Sequence, residues 1–123
     1  MFINQGAKKT FIIAEVGNNH EGDISVAKKL INLASKAGVD AIKFQTFVTE
    51  KFINKINVAR FNQLKKFELS FNQFKHLKQL ANQKKLKFIS TPLDLKSAKF
   101  LVNNSDVIKV ASSDNNFLNA WIG

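Results

Sequence analysis

Lys43 and Lys109 stand inside runs that are otherwise largely apolar, Ala41-Ile42-Lys43-Phe44-Gln45-Thr46 and Val107-Ile108-Lys109-Val110-Ala111-Ser112. Two further runs, Phe11-Ile12-Ile13-Ala14-Glu15 and Phe88-Ile89-Ser90-Thr91, also end on a polar group. A charge inside a segment that reads as a buried strand costs desolvation free energy unless it is paired. Four such positions, each toward the carboxyl end of its run, point to one shared site. Two ammonium groups brought there repel each other and resist burial until an anion sits between them, so the chemistry they suit is the holding of a phosphate or carboxylate. Glu15 adds a carboxylate, and Gln45 and Thr91 add neutral donors and acceptors.

Strands must carry these groups to one place. If Ile42 and Phe44 face flanking helices, period-two geometry sends Lys43 and Gln45 to the opposite face, with Glu15, Thr91 and Lys109 beside them. Both lysines read as buried from their strand neighbours. The gaps between runs each hold a crossover helix. Gly22-Asp23 and Ser25 are turn and capping residues, after which Ile24, Ala27, Leu30, Ile31 and Ala34 recur at helical spacing until Gly38. Ser70 with Gln73 forms a capping box ahead of Phe71, Phe74, Leu77 and Leu80. Asp94, just after Pro92, caps a shorter helix through Leu95, Ala98, Leu101 and Val102. The segment from about 57 to 67, with Phe61 and Leu64, reads as one more helix within the long second connection. The order is βαβαβαβ with right-handed crossovers. In an α/β barrel the carboxyl ends of all strands converge on the face where ligands bind. A complete eight-fold barrel takes about 250 residues, so 123 residues correspond to the amino-terminal half of a TIM-type (β/α)8 barrel, about four parallel strands with their helices.

Composition narrows the classes. With 45% hydrophobic residues and no Gly/Pro/Ser-rich linker, residues 1–123 form one domain. The absence of cysteine excludes disulfides and zinc–thiolate sites and fits a reducing cytoplasm. No apolar run approaches the roughly 20 residues that span a bilayer, and the amino terminus lacks a signal-peptide core. The net charge of +10 raises a nucleic-acid reading. Most lysines, such as Lys28, Lys36, Lys65, Lys75, Lys78 and Lys96, fall on polar helix faces, the pattern of a solvated surface, and no nucleic-acid motif accompanies them.

The strand-end wording resembles the sialic acid synthase family, which includes N-acetylneuraminate, legionaminate and pseudaminate synthases. The residues that carry the resemblance are Ile12-Ile13-Ala14-Glu15-Val16-Gly17-Asn18-Asn19-His20-Glu21-Gly22-Asp23, Ile42-Lys43-Phe44-Gln45-Thr46-Phe47, Phe88-Ile89-Ser90-Thr91-Pro92-Leu93-Asp94 and Ile108-Lys109-Val110-Ala111-Ser112-Ser113-Asp114. The resemblance runs from about Phe11 to Asn116 and covers the first half of the family's catalytic barrel. It implies a transferase that condenses phosphoenolpyruvate with an N-acyl amino sugar, releasing phosphate and giving a nine-carbon 2-keto acid. A divalent metal, manganese or magnesium, polarises the sugar aldehyde in that family. By the same resemblance Lys43, Thr91, Lys109 and Ser112 hold phosphoenolpyruvate, Glu15 manages protons or orders a water beside the reacting carbons, and Gln45 and Asp114 line the sugar site. His20 borders the sugar as a secondary candidate.

The residues also admit plainer readings. Glu15 and Lys43 form a simple ion pair that orders the barrel; Thr91 and Ser112 satisfy backbone groups at turns; Asp94 is a helix cap rather than a ligand; His20 is a loop hydrogen-bonder; His76 lies on the surface. The family's metal-binding histidines, its later strands and its carboxy-terminal antifreeze-like domain have no counterpart here. The leading expectation is therefore a synthase fragment inactive by itself, with no metal ligands of its own. The alternative is a non-catalytic phosphate- or sugar-binding half-barrel acting by self-association. Open edges around Ile12 and Ile108 call for self-association or a complementing fragment.

Overall fold

The structure is a computed structural model that describes residues 9–115. The caps foreseen in the sequence start its helices. Asp23 accepts from the backbone N–H groups of Ser25 and Val26 and opens α1, Ile24–Lys36, which closes through Ala37 onto Gly38 at φ +73°, a left-handed position that glycine occupies without strain. Ser70 and Gln73 make the reciprocal capping box of α4, Phe71–Gln83. Asp94 caps α5, Leu95–Leu101. The helix foreseen near 57–67 forms as α3, Val58–Phe67, capped by Asn57, but it buries none of its own residues. A single turn, α2, Thr49–Phe52, precedes it and carries no pattern long enough to read from sequence.

Four parallel strands, β1 Ile13–Gly17, β2 Ala41–Thr46, β3 Lys87–Pro92 and β4 Val107–Ile108, pair in the order β1-β2-β3-β4. Sequential order matters. Right-handed crossovers that always step in the same direction leave every helix on one face of the sheet, as in a barrel, rather than alternating between faces as in a doubly wound fold. The helix-side residues confirm it: Ile42, Phe44 and Phe88 are fully buried against Ile31 of α1 and Phe74 and Leu77 of α4. The other face is only partly covered, with Ile13 and Val107 about half exposed and Ile89 buried between them. The architecture is the α/β half-barrel expected.

Two strands differ from expectation. β1 starts at Ile13 rather than Phe11 and runs on to Gly17, so Glu15 sits mid-strand. β4 is two residues long instead of the six of its apolar run. It is an edge strand, paired with β3 on one side only. Without a second neighbour among the described residues, nothing buries Val110, and Lys109 is exposed rather than buried as its neighbours suggested.

At the amino ends of β2 and β4 one device recurs. Asp40-Ala41-Ile42-Lys43 and Asp106-Val107-Ile108-Lys109 share one pattern. The Asp40 carboxylate accepts from the Ile12 N–H at 2.8 Å and that of Asp106 from the Phe88 N–H at 2.7 Å, each tying its own strand to the preceding one. The bond from Ile12 holds the Asp40 carboxyl below its ordinary pKa. Burial opposes the same shift at Asp106, but the bonds from Phe88, Asn82 and Lys78 outweigh it. Among the described residues no helix is long and apolar enough to cross a membrane.

Candidate functional site

Parallel register partners share a face. Glu15 is opposite Lys43, Lys43 opposite Ile89, and Gln45 opposite Thr91, so four of the expected residues meet on the open face of β1, β2 and β3. Lys43 Nζ lies 2.5 Å from Glu15 Oε2. The ion pair of the plainer reading therefore exists, but it is not deeply buried: the side chains are 20% and 51% exposed, a setting in which such a pair contributes little to stability. The pair holds the Lys43 side chain on the open face, against Glu15. Thr91, 5% exposed, stands next along the face beside Gln45.

The loop leaving β1 reaches back to this face. A register shift between Glu15 and Gly17, with Gly17 at φ +55°, turns the chain so that Asn18 Nδ2 donates to Gln45 Oε1 at 2.8 Å. Gly22 is required below it. At φ +82°, a Cβ there would lie 2.0 Å from the Lys66 carbonyl oxygen, so only glycine allows the loop to pass so close to the end of α3. His20 anchors the loop from the helix side, 1% exposed, its ring 6.1 Å from that of Phe44 and its Nδ1 accepting the Gly22 N–H at 3.0 Å. It is a loop hydrogen-bonder packed in the helix layer, away from the open face. Its Nε2 is buried without a partner among the described residues.

Burial lowers the His20 pKa below 6.5. A histidine that binds its proton less readily when folded gives stability that is complete above the unfolded pKa and declines as pH falls below it. The expected result is a His20 ring titrating below about 6.5 in NMR, with the melting temperature dropping over the same range. A ring that titrates above that value would show that the pocket admits charge.

Two carboxylates that the sequence did not mark as partners fasten the loop after β2. Asp94 Oδ2 accepts the Val48 N–H at 2.8 Å while also capping α5, and Glu68 Oε2 accepts both the N–H and hydroxyl of Thr49, at 2.8 and 2.6 Å. Asp94 is thus a cap, as its plainer reading had it, with a second task. Asn18, Glu68 and the Asp94–Val48 link could be suspected only from polar residues flanking strand ends, a signal shared by many turns.

The remaining expected residues do not join the cluster as tightly. Lys109 donates its backbone N–H to Ser90 O at 3.0 Å, and its side chain is exposed. Ser112 and Asp114 lie on a 3-10 turn, Ser112–Asp114, exposed and half-buried respectively. Among the described residues no three side chains of the kind that ligate metals come together, so those residues do not by themselves fit a divalent cation. An open groove lined by Glu50, Phe52, Lys55 and Phe61 between α2 and α3 contains none of the expected site residues.

The family described as the NeuB family matches residues 30–120. The chain is 38% identical to the N,N'-diacetyllegionaminic acid synthase of Legionella pneumophila, over 76% of this chain and 30% of that protein. It is 34% identical to the N-acetylneuraminate-9-phosphate synthase of Mus musculus, over 90% of this chain and 34% of that protein. Its fold superposes on the crystal structure of the N-acetylneuraminic acid synthetase of Leptospira borgpetersenii, solved with citrate, with a TM-score of 0.79 and 35% identity over 85% of this chain and 36% of that one. The chain spans about a third of the length of the relatives it matches.

Proposed function

Because the chain belongs to the NeuB family and its relatives include synthases of sialic-type acids, we propose that it supplies the phosphoenolpyruvate-holding strands of an enzyme that condenses phosphoenolpyruvate with an N-acyl amino sugar and releases phosphate. The observation that carries the reading is the open-face cluster in which Glu15, Lys43, Gln45 and Thr91 occupy register-matched positions on three adjacent strands. Lys43 binds the anionic end as a point charge, the Thr91 hydroxyl donates beside it, and Glu15, released from Lys43, handles a proton or orders a water. Gln45 faces the sugar. Lys109 and Ser112 complete the anion site from the segment after β4, and Asp114 borders the sugar.

The half-exposed Ile13 and Val107 and the single-sided pairing of β1 and β4 among the described residues support a second element of the proposal: this face is closed by further strands, from a complementing fragment or a second copy. In this reading the metal is held outside these residues and no step on this chain passes through it. The test is to incubate the purified chain with phosphoenolpyruvate, N-acetylmannosamine and manganese, following phosphate release, and to titrate phosphoenolpyruvate separately by calorimetry. Binding without turnover is expected. Turnover above a no-protein control would overturn the need for further strands, and absent binding would overturn the site.

A further inference from the structure

Gln45 has one end of its amide already occupied. Asn18 Nδ2 donates to Gln45 Oε1, and no hydrogen bond to Gln45 Nε2 forms among the described residues. Asn18 Oδ1 is buried without a partner among the described residues. If both amides were turned over, the buried orphan would be the Asn18 NH2 group instead, and an orphaned donor is the rarer and costlier case than an under-used carbonyl oxygen. Nor can Asn18 readily swing aside. The Asn19 N–H bonds the Val16 carbonyl at 3.0 Å and the Glu21 N–H bonds the Asn18 carbonyl at 2.9 Å, so both neighbours of Asn18 sit in closed turns, while buried His20 and the tight passage at Gly22 fix the rest of the loop.

We propose that Asn18 is a positioning residue that sets the hydrogen-bonding sense of Gln45, so that Gln45 meets its ligand only as a donor. With Oε1 engaged, the Nε2 hydrogens face outward. They read an acceptor oxygen, such as an acyl carbonyl or a hydroxyl lone pair, and give nothing to a ligand group that can only donate. Thr91, the register partner of Gln45, has a hydroxyl that can turn to donate or accept. Discrimination between donor and acceptor therefore rests on the amide whose orientation is fixed. This rests on the reading that Gln45 faces the sugar, but its central statement concerns the amide alone.

Hydrogen exchange of the side-chain amides in the 15N-labelled full chain tests it without any ligand. The Asn18 NH2 should exchange slowly and the Gln45 NH2 rapidly. In Asn18→Asp the new carboxylate can only accept, so the Gln45 amide turns and its NH2 becomes the protected group. In Gln45→Glu the acceptor for Asn18 survives, and Asn18 protection persists even if Asn18→Asp fails to fold. Protection of the Gln45 NH2 in the unaltered chain, or equal rapid exchange of both amides, would overturn the proposal. A second arm titrates N-acetylmannosamine in the presence of phosphoenolpyruvate, where Asn18→Asp should weaken binding about fivefold, the loss of one hydrogen bond of about 1 kcal/mol. Sugar binding that is missing in the unaltered chain while the exchange pattern holds would count against the functional reading and leave the role of Asn18 supported.

Discussion

Phe44→Ala should cost the folded chain about 3–5 kcal/mol, a large part of the roughly 5–15 kcal/mol by which ordinary domains are stable. Phe44 is fully buried at the centre of the helix-side core. Its ring lies 5.4 Å from that of Phe88 and 6.4 Å from that of Phe74, with His20 on a third side at 6.1 Å. Truncation opens a cavity that rigid neighbours on β3, α4 and the β1 loop close only partly. The consequence reaches the site, because Lys43 and Gln45 flank Phe44 on β2. Urea unfolding followed by circular dichroism measures the loss, with Ile56→Ala, 86% exposed in the unaltered chain, changing stability by less than about 0.5 kcal/mol as the control. Equal small losses in both variants would mean that the aromatic cluster is not the core.

Lys43→Ala should weaken phosphoenolpyruvate binding by roughly 10- to 150-fold, the loss of about 1.5–3 kcal/mol for one charge-assisted contact. Lys109→Ala should do less. Its side chain is exposed, where solvent and salt screen the charge, so the joint site expected of both lysines becomes a hierarchy led by Lys43. Glu15→Gln should act in the opposite direction. An incoming anion must displace the Glu15 carboxylate from the Lys43 ammonium, and removing that competitor makes binding tighter. Isothermal titration of the three variants decides the ranking. Weaker binding in Glu15→Gln would show that the carboxylate assists the anion instead of competing with it.

Much of this arrangement was legible because local rules and tertiary structure agree. The caps at Asp23, Ser70 and Asp94 and the stop at Gly38 are short-range features, satisfied within a few residues of where they are read. The alternation of Ile42 and Phe44 against Lys43 and Gln45 was equally readable, because a sheet with helices on one face enforces period two. What failed depended on neighbours. The apolar run from Val107 carries strand propensity, yet only Val107 and Ile108 pair, because β3 supplies a ladder on one side alone; the burial of Lys109 failed with it. Phe61 and Leu64 marked α3 correctly, and the helix they mark lies outside the main core. Links such as Asn18–Gln45, Val48–Asp94 and Thr49–Glu68 join residues 19 to 46 positions apart, and no periodicity encodes a single side chain reaching a distant partner.

A chain of net charge +10 attracts any anion, so the most direct test separates a built site from general basicity. Phosphoenolpyruvate is titrated by calorimetry, at low and moderate salt, into the unaltered chain, Lys43→Ala and Lys75→Ala. Lys75 is an exposed helix lysine and a cleaner control than Lys78, whose ammonium is 3.4 Å from Asp106. The expected result is a saturable site that Lys43→Ala weakens by about tenfold or more and Lys75→Ala leaves unchanged at both salt concentrations. Equal weakening by the two substitutions, with binding that fades uniformly as salt rises, would contradict the account, because the net charge alone would then be holding the anion.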